Sequence, residues 1–155
     1  PRAEGLLALD ARAEASLRAA DTLTAALEQA GAAPSLRIIN LAGRQRMLSQ
    51  RLAKEALFAA LLPEPAAGLA REAAARTAAE VDAALATLRA APLAGPELQA
   101  ALAAAAAEWP RMTADLDAAD SPDGLRRIAA SSESLLQRFE QLATQIERSM
   151  QALVG

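Results

Sequence analysis

The chain has 155 residues, with sixteen basic and nineteen acidic side chains and a formal net charge of -3, and at this length one domain with a real core is the default. It holds no histidine and no cysteine, which excludes disulfides, Cys/His metal sites and histidine-based acid–base chemistry. The charges are interspersed and aromatics are only 2%, which argues against a nucleic-acid surface, while a composition this rich in alanine suits closely packed helices better than a sheet core.

In chain order, the spacing predicts a helix over Ala3 to Ala30, in which Leu6, Leu7, Leu9, Leu17, Leu23 and Leu27 supply the larger apolar groups. Gly31-Ala32-Ala33-Pro34 ends it. A second helix, capped by Ser35, runs to about Leu62, where Pro63-Glu64-Pro65 stops it. A third covers about Ala66 to Ala91, with Leu69, Val81, Leu85 and Leu88 as buried positions and Arg71, Glu72, Arg76, Glu80 and Asp82 on a solvated face. Pro92 to Pro96 turns the chain. The fourth helix runs from about Glu97 to Ala119, with a kink expected at Trp109-Pro110 and Trp109 read as core. Asp120-Ser121-Pro122-Asp123-Gly124 is turn chemistry with a capping group. The last helix, about Leu125 to Leu153, carries an apolar stripe of Leu135, Leu136, Phe139, Leu142, Ile146 and Met150.

These elements predict an all-α fold: an antiparallel four-helix bundle over about Ser35 to Leu153 with an additional N-terminal helix, the organisation being 1–33 for that helix and 34–155 for the bundle. No apolar run reaches the roughly 18–20 residues of a membrane-spanning helix, so any signal peptide or membrane anchor is expected outside these residues. A weak repeat at an offset of 119 residues places Glu14-Ala15-Ser16-Leu17 over Glu133-Ser134-Leu135-Leu136. Either the first helix is the closing helix of an upstream copy, or two amphipathic helices are alike by chance.

The most unusual stretch is Ile38 to Lys54, where three arginines, two glutamines, an asparagine and a glycine sit in an apolar frame. At 100° per residue, Gly43, Arg46 and Gln50 share one face, and Asn40, Arg44, Met47 and Arg51 share another. Glycine inside a helix costs roughly 1 kcal/mol relative to alanine. In a chain this rich in alanine, Gly43 implies that something approaches the backbone closely, either another helix or a ligand. Arg46 lies one turn on, and its guanidinium is a planar fork of donors suited to planar oxyanions. The plainer alternative is a close helix contact at Gly43 with solvated arginines around it.

The string Asn40-Leu41-Ala42-Gly43-Arg44-Gln45-Arg46-Met47-Leu48-Ser49-Gln50-Arg51-Leu52-Ala53-Lys54 resembles the signature of the PilJ-type domain, the N-terminal sensor module of type IV pili methyl-accepting chemotaxis transducers. It is similar, more distantly, to the P-box of the NarX and NarQ nitrate sensor kinases. Asn40, Ala42, Gly43, Arg46, Met47, Ser49 and Arg51 stand at the pattern's spacings. The resemblance implies a periplasmic helical bundle, a homodimer, that binds nitrate or a similar small anion at the subunit interface. It places Arg46 as the anion contact from both subunits, with backbone near Gly43 assisting. Asn40, Met47 and Gln50 complete the expected ligand-binding set, and Arg44, Ser49 and Arg51 support it. Gly43, Ala42 and Ala53 are expected to allow close approach of two copies.

The resulting expectation is an extracytoplasmic ligand-sensing bundle that passes its signal to a chemotaxis or two-component output lying outside this chain. No cofactor or metal is implied. A ligand-free helical scaffold, its arginines paired with Glu55, Glu14 or a partner's carboxylates, is the alternative, as is a secreted stand-alone copy of the module. An enzyme is disfavoured: Ser49 has no histidine to activate it, Asp115 and Asp117 lie on different helix faces, and a di-iron bundle needs histidines.

Overall fold

The computed structural model describes residues 3–29, 34–91, 93, 95–117, 119 and 121–154. They form five helices: α1 (Ala3–Gln29), α2 (Pro34–Leu61), α3 (Ala66–Ala90), α4 (Pro96–Asp117) and α5 (Pro122–Val154). No strand occurs among the described residues. The turn at Gly31 to Ala33 and the side chains of Leu27, Ser35 and Met150 lie outside them. No helix among the described residues is long and apolar enough to cross a membrane.

The chain divides into two compact units, Pro1–Asn40 and Leu41–Gly155. In the first, α1 holds Leu6 and Leu17 partly covered and leaves Leu7, Leu9 and Leu23 exposed. In the second, side-chain bonds join α2 to α3 (Thr77 to Glu55), α3 to α4 (Trp109 to Asp82), α4 to α5 (Ser131 to Asp115) and α5 back to α2 (Arg46 to Glu140). Each helix therefore has two neighbours, and the short connections make sequential helices antiparallel. This is the four-helix bundle read from the sequence, with α1 as the additional helix.

Local chemistry sets the helix starts. Pro34, Pro96 and Pro122 open α2, α4 and α5, the position where a missing N–H costs nothing and a fixed φ favours the helix. The second helix thus begins one residue before the cap expected at Ser35. Gly95 ahead of α4 has φ 108°, a left-handed conformation that favours glycine. Ser121 Oγ accepts the Gly124 amide at 3.0 Å, which caps α5. At α3 the Glu64 carboxylate accepts the Gly68 amide at 3.1 Å and pairs with Arg71. The hydrogen bond from Arg71 holds the Glu64 carboxyl below its ordinary range.

The core is built from Leu48 and Leu52 of α2, Val81, Leu85 and Leu88 of α3, Leu98, Leu102 and Met112 of α4, and Ile128, Leu135, Phe139, Leu142 and Ile146 of α5. Leu69 is a correction to the sequence reading: it is 65% exposed, and Ala67 takes the buried place in that turn. Trp109 is buried as expected, and its Nε1 donates to Asp82 Oδ1 at 2.6 Å. Asp82, expected only to be solvated, thereby satisfies the indole N–H. The fourth helix is continuous through Pro110, which stands on its exposed side.

Candidate functional site

The two faces expected on the signature helix have different neighbours. On one, Arg46 Nη2 donates to Glu140 Oε1 of α5 at 2.9 Å, with the two side chains 50% and 49% exposed. Gln50, one turn further, is exposed and lines a groove of about 390 Å³ between α2 and α5, together with Ala53, Lys54, Leu57, Ser132 and Glu133 among others. On the other face, Arg44 Nη2 reaches Glu80 Oε2 of α3 at 3.1 Å. Arg51 Nε donates to Glu55 Oε1 at 2.9 Å, and Glu55 Oε2 accepts Thr77 Oγ1 of α3 at 2.7 Å. The helix thus directs Arg46 toward α5 and Arg44 toward α3, while Arg51 pairs with Glu55 of its own helix, whose other oxygen reaches α3.

Burial separates these pairs energetically. Glu55 is buried, so its carboxylate depends on Arg51 and Thr77 in place of water. That network ties α2 to α3, and Arg51 is spent in it. The Arg46–Glu140 and Arg44–Glu80 pairs lie at the surface, where an ion pair is worth about 0–1 kcal/mol. Arg46 is therefore held in place only by a weak, solvent-screened pair.

Gly43 is partly covered, yet a Cβ built on it would meet no atom within 4 Å. Among the described residues of its own unit, no neighbouring helix makes the close contact of the plainer alternative here. Ala42 is fully buried, which corrects the expectation that it helps two copies approach: it faces the core of its own bundle. Ala53, in contrast, lines the α2–α5 groove.

The remaining signature residues divide the same way. Ser49 is fully buried, and its Oγ donates to the Arg46 carbonyl at 2.8 Å, so it supports the turn that carries Arg46 from inside. Gln45 is also fully buried; its Nε2 donates to the Leu41 carbonyl at 3.0 Å and its Oε1 has no partner among the described residues. Met47 is partly covered. Asn40 ends the first compact unit, and so falls outside the unit that carries Gly43 and Arg46. The structure therefore brings Gly43, Arg46 and Gln50 together on one accessible face, keeps Arg44 and Arg51 on another, and puts Ser49 inside.

Sequence reasoning missed Glu140, Glu80 and Thr77. Each is 22 or more residues away along the chain from its partner, and only the packing register reveals it.

A family model described as "Type IV pili methyl-accepting chemotaxis transducer N-term" (PilJ) matches residues 34–134, which take in α2, α3, α4 and the first part of α5. No curated protein and no solved structure matches the chain.

Proposed function

The chain belongs to the family of type IV pili methyl-accepting chemotaxis transducer N-terminal domains, and on that premise we propose that it is an extracytoplasmic sensor bundle that binds a small planar oxyanion, nitrate or nitrite in character, through Arg46. The observation that carries this reading is the outward face of α2. It offers a half-exposed guanidinium one turn from a glycine whose missing side chain no described neighbour in its own unit requires.

Two copies related by a two-fold axis would bring two such faces together. Two guanidinium groups near one axis repel and lose water, and both costs fall when an anion lies between them. The anion would then favour one placement of the two α2 helices over others, and that differential affinity is what a sensor requires. A small shift between helices would carry the signal to a chemotaxis or two-component output. The domain acts by binding, in the periplasm, and not by catalysis.

Sedimentation with and without nitrate, nitrite and small carboxylates tests the assembly. The expected outcome is a dimer that one of these anions strengthens. A monomer at high protein concentration under every condition contradicts it.

One observation favours a second reading. Arg44, Arg46 and Arg51 each have a carboxylate partner within the chain, as a ligand-free scaffold would arrange them. On that reading no small anion changes either the sedimentation or the melting temperature.

A further inference from the structure

We propose that Glu140 is a built-in competitor for the anion site, a carboxylate latch that occupies Arg46 until a ligand displaces it. This rests on the proposed anion reading and adds the regulation of that site.

Glu140 lies on α5, 94 residues from Arg46, and its Oε1 takes the position at Arg46 Nη2 that a ligand oxygen would need, at 2.9 Å. Both side chains are half exposed, so water screens the attraction and the pair is easily opened. The carboxylate also has room to leave. Glu140 also lines a polar depression of about 450 Å³ on α5, together with Gln137, Gln141, Thr144, Gln145 and Arg148.

The competition has two consequences. First, it sets a threshold. An anion must exceed an internal carboxylate, so chloride or a single-point contact gains little, whereas two coplanar oxygens can engage the planar fork of the guanidinium in a way Glu140 does not through its one described contact. Second, it couples binding to α5. The Arg46–Glu140 pair crosses the seam between α2 and α5, and exchanging Glu140 for a ligand opens that tie. No bond is made or broken other than these ionic contacts: the ligand takes the guanidinium and Glu140 returns to water.

The test is isothermal calorimetry with sodium nitrate, sodium nitrite and sodium formate on the wild type, Glu140→Gln and the double variant Glu140→Gln/Arg46→Ala. Glutamine keeps the shape and removes the competing charge. The latch accounts for about 0–1 kcal/mol, so Glu140→Gln should tighten binding up to about fivefold. That gain should vanish in the double variant. Binding by Glu140→Gln where the wild type binds too weakly to detect also supports the latch. If the wild type binds an anion and Glu140→Gln binds it equally or more weakly, the latch is wrong and the anion site stands. If neither protein binds any of the three anions, the proposed anion reading fails and the latch falls with it.

Discussion

Gly43 and Arg46 stand one turn apart on the same helix face, yet the fold makes opposite use of them. Arg46 has an intramolecular partner in Glu140, whereas Gly43 has open space where a Cβ would go. A glycine that no neighbour requires costs the isolated bundle helix propensity and gives it nothing in packing. Gly43→Ala should therefore raise the stability of the single chain by about 1 kcal/mol, a rise of ~2–4 °C in melting temperature for a domain of this size. The same change should weaken anion binding or self-association, because it places a methyl group where the approach is proposed. Thermal unfolding at low protein concentration, beside sedimentation of the same variant, measures both effects. A loss of stability would show that the fold itself needs the glycine.

At the scale of the helix, α2 serves three neighbourhoods at once. Its inner face buries Leu48 and Leu52, its α3 side carries the Arg51–Glu55–Thr77 network, and its α5 side presents Arg46 and Gln50. Glu55 is buried, so removing the Thr77 hydroxyl deprives a carboxylate of a bond that water cannot replace. Thr77→Val should cost about 1.5–3 kcal/mol, and Thr77→Ser should recover most of it. Denaturant unfolding checks this; a cost below about 0.5 kcal/mol would mean that the network does not hold α2 to α3.

The division of α2 into faces was legible in the sequence because it depends only on helical periodicity, a local property. That rule separates Arg44 and Arg51 from Arg46, and in the structure Arg44 pairs with α3, Arg46 with α5, and Arg51 with Glu55 of α2, which Thr77 of α3 also bonds. The partners themselves were not legible. Glu140 and Glu80 come from helices whose register against α2 is fixed by how core side chains interlock, and one sequence holds no record of that. Leu69 was misread for a related reason. In an alanine-rich bundle the helices approach closely enough that Ala67 fills the core position, so the larger apolar residue is not the buried one. Ala42 followed the same logic: a small residue read as an interface position packs inside its own bundle.

Across the bundle Leu41–Gly155, side-chain ties of unequal strength among the described residues cross each seam between neighbouring helices. The α2–α3 tie is buried at Glu55, and the α3–α4 tie is anchored by the buried indole of Trp109. The described tie from α2 to α5 is a half-exposed ion pair, which water screens, unlike the tie at buried Glu55. A sensor built this way keeps most of its framework rigid and places the adjustable contact beside the proposed site.

We propose that Arg46 is the principal contact for a small oxyanion. Calorimetry with nitrate, nitrite and small carboxylates on the wild type, Arg46→Ala and Arg46→Lys tests it most directly, with Arg76→Ala as the control, since Arg76 is well exposed and pairs only loosely with Glu72 at 3.9 Å. A charge-assisted hydrogen bond is worth about 1.5–3 kcal/mol, so Arg46→Ala should weaken binding by roughly one to two decades. Arg46→Lys should keep only part of the affinity because lysine lacks the planar fork, and the control should bind as the wild type does. Binding by Arg46→Ala with wild-type affinity, or no binding of any of these anions by either the wild type or Glu140→Gln, would contradict it.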